Sequence, residues 1–523
     1  MEPSLTRAQA AALAASAAAA VFVATAVLRF PGAQSLEFCH YGEIGRRIVA
    51  GEGPVTGVLY PAEAALLAVG GETFGAAVAP LGRFPLFAFL TGACEALLGD
   101  TDAAVLTAAG LALAGAAAAA AWTLFPLLGP SGALAASLMF AWSPSVVRGF
   151  ALWGYPDLSF CALLLLFHEA WLERGKPWRT GLLAGLCWLA RPNFVLFLPV
   201  YAWELWRGPG VGKRRWAART AGAAFLVAAP WAARQKLAGG PLLNPNFLWN
   251  LATGVLTPEP AWRYVRIFSL SDFGPEHAVP LALKALSGLG GWLSAWPTLW
   301  QLGPALPLAV LGFVMARSKD SSRLLGLNLG LLALQAAAFS LLRVERLGEH
   351  VAGRYELWFA PAYAAAVVLG ARALAARFPL PRWAPTVALA CLAGWYGRYY
   401  ALPELGFGHP AGLPAAWPEL ARLDASGDPS FVATNIPAHV GWYARRRAVL
   451  LPAGPEEFDR LRRLLPIGPI LLSTLVIGQV ADMPYWLSLL RHRDEADRFC
   501  ARFGYRIAFV NPQALLLLPS PGP

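Results

Sequence analysis

Between residues 8 and 400 the chain repeats one pattern: an apolar run about as long as a bilayer is thick, then a short loop carrying arginine or lysine. No other feature restricts the fold as much. Where lipid replaces water, backbone N–H and C=O groups must be satisfied inside the segment, so a chain of such runs is threaded as helices. The composition agrees. Hydrophobic residues make up 57% and charged residues only 14%, whereas soluble domains carry about a quarter charged. That leaves too little polar surface to cover a water-soluble globule. The formal net charge of +11 does not point to nucleic acid, because the cations cluster between apolar runs, where the positive-inside rule places them.

The positive flanks predict a topology of about eleven spans. The first, 8–28, follows Arg7 and reads as a retained anchor rather than a cleaved signal peptide, since about 21 residues suffice to cross. An external loop over 29–101 follows. Spans over 103–127, 132–150 and 157–172 then end inside at Arg174, Lys176 and Arg179. Two short spans, split at Arg191-Pro192-Asn193, end at Arg207, Lys213, Arg214 and Arg215. A span over 217–233 leads to a second external loop, 234–296. Spans over 297–316, ending near Leu342, starting near Arg354, and over 384–400 complete the set and leave the remainder outside. The apolar stretch 84–98 is short for a span at about 15 residues. Counting it as one would invert every later loop, so it is expected to lie in the outer interface or to be re-entrant.

From residue 402 the pattern changes. Strand-like segments at 430–434, 448–451, 469–474, 505–510 and 514–518 alternate with helical ones at 456–465 and 482–503. The expected fold class is therefore mainly α. A polytopic transmembrane helical domain over 1–401, with interfacial helices, is followed by a small soluble extracytoplasmic α/β domain over 402–523. The six cysteines form no CxxC or zinc spacing.

Candidate chemistry sits in the external segments, because a carboxylate is costly in lipid. Residues 37–48 read as an amphipathic helix with Phe38, Tyr41, Gly45 and Ile48 on one face and Glu37, His40 and Glu43 on another. A plain solvated face is the alternative. Asp157 opens a helix after Tyr155-Pro156, where the helix dipole alone would favour an acid. The second loop mixes Trp249, Trp262, Arg263, Tyr264, Arg266, Asp272, Glu276 and His277, a set suited to sugar stacking or to a lipid headgroup belt.

Taken in order, these segments resemble the GT-C membrane glycosyltransferases, which include the protein O-mannosyltransferase and aminoarabinose transferase families. The resemblance runs through Glu37-Phe38-Cys39-His40-Tyr41 and the Gly51-Glu52-Gly53 exit of the first loop. It continues through Arg83-Phe84-Pro85-Leu86, Tyr155-Pro156-Asp157, Ala190-Arg191-Pro192-Asn193 and Gly353-Arg354-Tyr355, and then the tail segments 431–435 and 442–446. It implies a bacterial inner-membrane enzyme, with no nucleic-acid partner. Such an enzyme moves a sugar from a polyprenyl-phosphate carrier to an extracytoplasmic acceptor, which is a glycan, lipid or protein. By that resemblance Glu37 and Asp157 are the catalytic carboxylates, with Glu37 as general base. Arg83, Arg191, Arg354, Tyr355, His40 and Tyr41 would bind substrate. Glu37, His40 and Asp157, or His350, could offer ligands to a divalent cation. One departure stands out: many members carry an acid pair where this chain has Leu36-Glu37. The alternatives are a transporter or flippase for the lipid-linked sugar and an inactive relative.

Overall fold

The computed structural model of the protein describes residues 5–30, 32–33, 35–74, 77–207, 212–237, 244–295, 303–316, 319–342, 354–378, 384–401, 420, 423, 430–474 and 483–520. It is a helical bundle with a small sheet at one end. Helix α1 (Arg7–Arg29) starts at a capping box in which Thr6 and Gln9 exchange side-chain-to-backbone hydrogen bonds. It buries Ala10, Ala14 and Ala18 against α5 (Asp102–Ala141). Small residues at every fourth position let two helix backbones approach closely. Helix α5 is two arms joined at Gly129, whose φ of 66° lies between Pro126 and Pro130. The arms correspond to the second and third expected spans, although helix gives way at Ala141 and a π-helical turn covers Ser145–Ala151.

Among the described residues, Arg7–Arg29, Asp102–Ala141, Ser322–Leu342 and Leu357–Arg377 are long and apolar enough to cross a membrane. This is a membrane protein, and among the described residues its other helices are shorter or, like the 25-residue Lys213–Leu237, less apolar. Helix α6 (Asp157–Glu173) is followed by α7 (Pro177–Ala190), which stops where Arg191 turns extended. Pro192 then opens a 3-10 turn to Phe197, and α8 (Leu198–Arg207) continues. A proline that lacks an N–H suits the first position of a new helical segment. Helix α9 (Lys213–Leu237) packs on α7.

One expectation needs correction. The stretch 234–296, read as a loop, contains α10 (Asn246–Ala252) and the long α11 (Ala278–Ala295). Pro280, Lys284 and the glycines at 288, 290 and 291 obscured its apolar run. Lys284 resolves its own cost by donating to the carbonyls of Asn250, Leu251 and Thr253. Of the expected span 297–316, the described part contains α12 (Leu306–Met315). Helices α13 (Lys319–Leu342), α14 (Ala360–Arg377) and α15 (Ala384–Ala401) follow.

The stretch 84–98 forms α4 (Pro85–Leu98), a short helix packed across α2 (Leu36–Val49) and α5. Between α2 and α4 run strand β1 (Val58–Leu59) and helix α3 (Pro61–Val69). Strand β1 belongs to the same sheet as the C-terminal strands, β2 (Phe431–Thr434), β3 (Ala448–Leu450), β4 (Ile467–Ser473), β5 (Tyr505–Val510) and β6 (Ala514–Pro519). The order is β1-β3-β2-β4-β6-β5, with β1 to β4 parallel and β5 and β6 antiparallel. Among the described residues four helices flank it: α16 (Pro437–Tyr443), α17 (Pro455–Leu464), α18 (Pro484–Arg491) and α19 (Arg493–Phe503). Thus Val58 and Leu59 of the first loop pair with Ala448 and Val449, nearly four hundred residues away.

Helix α16 binds α2 to the sheet. Arg46 donates to the carbonyls of Gly441 (2.6 Å) and Trp442 (3.1 Å). Trp442 Nε1 and the Tyr443 hydroxyl donate to the two oxygens of Asp102, at 2.8 and 2.9 Å. The indole so pinned lies directly over Gly42, where an added Cβ would stand 2.8 Å from the ring. Gly42→Ala should therefore lower the melting temperature by the equivalent of about 1–3 kcal/mol of overpacking. In a Trp442→Ala background the same change should cost little. Equal losses in both backgrounds, measured by thermal unfolding in detergent, would contradict this packing.

Candidate active site

Helix α2 begins at Ser35, whose hydroxyl accepts the Phe38 N–H (2.9 Å) and donates to the Trp153 carbonyl. The start of α2 is thereby tied to the turn that leads into α6. Gly154 in that turn has φ 64°, and Phe38 sits against it so closely that a Cβ would meet Phe38 atoms at 3.0–3.2 Å. A side chain there would be strained and would clash. These two contacts bring Glu37, one residue before Phe38, near Asp157, the first residue of α6.

The bridge between the acids is Arg354. Its Nη2 donates to Glu37 Oε1 (3.0 Å) and its Nε to Asp157 Oδ2 (3.1 Å). Arg191, at the α7 break, pairs with the same Asp157 oxygen. Arg83, just before α4, lies 3.4 Å from Glu37 Oε2. Five residues from five separate chain segments thus form one ion network. Glu37 is 13% exposed, Arg354 9% and Asp157 5%, so the cluster is nearly buried while Glu37 keeps an open edge. The Arg354 guanidinium stacks 4.0 Å above the Tyr155 ring and 5.6 Å from Tyr355, over which Arg191 also lies.

Burial pushes the Glu37 carboxyl up, but Arg83, Arg354 and Arg191 more than offset it and hold it down at about 2. Burial and Arg83 push His40 well below the usual histidine range, so its ring is neutral. Its Nδ1 accepts from Arg83 Nε (3.2 Å), which leaves the proton on Nε2 facing the Thr56 hydroxyl (3.1 Å). Thr56 in turn donates to Glu43 Oε2 (2.7 Å). Glu43 also receives the Gly57 N–H (2.9 Å) and Arg47. It is a buried anchor between α2 and the segment entering β1, not part of a solvated face. Tyr41 packs edge-on against Phe87 at 5.2 Å in the hydrophobic core. Burial, then Glu37, push its hydroxyl up to about 12.

Three guanidiniums surround two carboxylates, which leaves one unmatched positive charge. That balance suits an anion with oxygens for Arg to grip. It does not fit a divalent cation on Glu37, His40 and Asp157. Both His40 nitrogens are engaged, both acids are held by arginine, and a dication would add to a positive site. Among the described residues no three His, Cys, Asp or Glu side chains gather as a metal group. His350 and Gly353 lie outside the described residues.

In the second loop, Arg263 and Trp249 are structural. Arg263 is buried and donates to the carbonyls of Leu451 and Pro452, Glu457 accepts the Val265 N–H, and Trp249 packs in a small core with Ala62. These residues dock the loop onto the first loop and the sheet. Tyr155, Tyr60, Thr56 and Glu43 belong to the network without having been assigned to it from sequence. Two of them carried a signal: Tyr155, adjacent to Pro156-Asp157, and Glu43, on the polar face of 37–48 with Glu37 and His40.

No family model matches the chain, and no curated protein matches it in sequence. Solved structures do match. Over 98% of this chain and 99% of the other, the fold is that of ArnT from Cupriavidus metallidurans bound to undecaprenyl phosphate, with TM-score 0.58 and 14% identity. The Archaeoglobus fulgidus oligosaccharyltransferase, in complex with zinc and sulfate, aligns over 90% of this chain and 69% of its own, with TM-score 0.54 and 13% identity. The chain has the membrane-embedded GT-C fold that these two share. At such identities the likeness is one of fold.

Proposed function

We propose that the protein is an integral membrane glycosyltransferase that moves a sugar from a polyprenyl-phosphate carrier to an acceptor on the extracytoplasmic face of a bacterial inner membrane. The observation that carries this reading is the bridge of Arg354 between Glu37 and Asp157, flanked by Arg83 and Arg191. A GT-C fold with an arginine-rich, acid-containing cluster suits the phosphate of a lipid-linked donor, and undecaprenyl phosphate is bound by the ArnT of like fold. Helix length favours the sidedness. Asp157 opens α6, and Glu169, about 18 Å further along it, pairs with Arg7 and Arg179 at the end where the sequence places its basic loops.

In this reading the donor phosphate takes the guanidiniums of Arg83 and Arg354, with Arg191 steadied by Asp157. Glu37 is then relieved of the charges that depress it and becomes basic enough to work. It accepts the proton of the acceptor hydroxyl as that oxygen bonds to the anomeric carbon. The bond from that carbon to the phosphate oxygen breaks on the opposite face, and the electron pair leaves with the polyprenyl phosphate. One carboxylate suffices for such an inverting displacement. The arginines neutralise the charge that grows on the leaving phosphate, stabilisation that must be in place before the reaction.

Arg83→Ala should weaken binding of a polyprenyl-phosphate sugar by at least about tenfold, the worth of one charge-assisted contact. A binding titration in nanodiscs checks it, and unchanged affinity would remove Arg83 from the phosphate site.

A further inference from the structure

Glu63, on α3, is a buried acid that the proposed reaction does not use. It is 3% exposed, and both its oxygens are taken. Oε2 accepts the Tyr60 N–H (3.1 Å) and Oε1 accepts the Gly82 N–H (3.0 Å). Each of those residues holds one end of Arg83. Gly82 precedes it in the chain, and the Tyr60 hydroxyl accepts from Arg83 Nη2 (3.2 Å). A Cβ at Gly82 would stand 3.0 Å from Glu63 Oε1 and 3.6 Å from Asn246 Nδ2, so a larger residue there would press on this carboxylate. With backbone and guanidinium both referred to Glu63, Arg83 Nε is left aimed at His40 Nδ1 and Glu37 Oε2.

We infer that Glu63 is a positioning residue that sets Arg83 for the donor phosphate and makes donor capture depend on pH; this rests on the glycosyltransferase reading above. Ionised, Glu63 accepts both N–H groups. Protonated, one oxygen becomes a hydroxyl and a much weaker acceptor, so the hydrogen bond from either Tyr60 or Gly82 weakens, which loosens Arg83. Burial pushes the Glu63 carboxyl up, against Arg83 and the two N–H groups, to about 7. The change of state therefore falls in the physiological range, with the tight form at higher pH. Around Glu63 the facing groups are Arg83 and the Tyr60 phenol, with Glu37 beyond them. The elements packed on α3 bring Arg263, paired with Glu259, and, from α17, Glu456, Arg462 and the pairs Glu457–Arg460 and Asp459–Arg463. Of all these charges only Arg83 acts on Glu63 appreciably.

The test is the Kd of a short-chain polyprenyl-phosphate sugar between pH 5 and 8.5, measured on full-length protein in nanodiscs. This donor is a phosphodiester with no proton to lose over that range, and Glu37, at about 2, has none to gain in the free protein. Wild type should lose about tenfold in affinity as pH falls through 7, a usual size for coupling between two sites. Glu63→Gln should bind weakly and equally at every pH. Tyr60→Phe, which removes only the hydroxyl, should weaken binding severalfold and keep the pH dependence. A flat wild-type profile, or the same acid limb in Glu63→Gln, overturns the inference. If Glu63→Gln does not fold, the Tyr60→Phe result decides, since unaltered affinity there removes the link to Arg83. Transfer assayed at pH 8 on wild type tests the glycosyltransferase reading separately.

Discussion

Glu37→Gln is expected to slow sugar transfer by about 10²–10⁴-fold, the usual contribution of a positioned general base, and to tighten donor binding. The two effects go in opposite directions for one reason. Glutamine keeps the shape of Glu37 and an oxygen to accept from Arg354, so α2 and its Ser35 cap should stand. It removes the negative charge that occupies Arg83 and Arg354. Those guanidiniums then meet the donor phosphate without competition, while the acceptor hydroxyl has no base. Binding titration and single-turnover transfer on the same preparation separate the two. A variant that binds and transfers like wild type would strip Glu37 of its role.

Arg354→Ala is expected to have the largest effect on the fold of any single change at the site. It leaves two buried carboxylates without their common partner, and breaking a buried ion pair from one side costs about 3–5 kcal/mol. Arg354→Lys should recover only part, because a point charge cannot span Glu37 and Asp157 with two directed N–H bonds while stacking on Tyr155. The pH dependence follows from Glu37. Its carboxyl is depressed from 4.5 to about 2, so its contribution to stability is fully present above the ordinary value and is lost as pH falls toward 2. Without Arg354 the depression shrinks, and so does that contribution. The difference in melting temperature between wild type and Arg354→Ala should therefore narrow below about pH 4.5. A gap that is constant with pH would mean that Arg354 acts by packing alone.

The bundle was legible because apolar length and arginine-flanked loops are both written locally in the chain. The C-terminal alternation was legible for the same reason: β2 to β6 lie close to the strand-like segments read from sequence. What escaped depends on distant partners. Val58 and Leu59 are too short to announce a strand, and they become one only because Ala448 and Val449 present an edge. Helix α11 was hidden by Lys284, whose charge is satisfied by the carbonyl end of α10. Glu43 looked like a solvated acid, since Thr56 and Gly57 cover it only after the loop folds back. At the site, sequence order pointed to Glu37, Asp157, Arg83, Arg191 and Arg354, and the fold brings these five together. Tyr41, a substrate residue only by the resemblance, faces α4, where it packs on Phe87.

The most direct test follows a labelled sugar from a polyprenyl-phosphate donor in proteoliposomes containing the purified protein and an extract of envelope acceptors. Label should appear in acceptor while polyprenyl phosphate is released in equal amount, and Glu37→Gln should stop both. Label that crosses the bilayer still attached to its lipid, with no polyprenyl phosphate released, would contradict the glycosyltransferase reading.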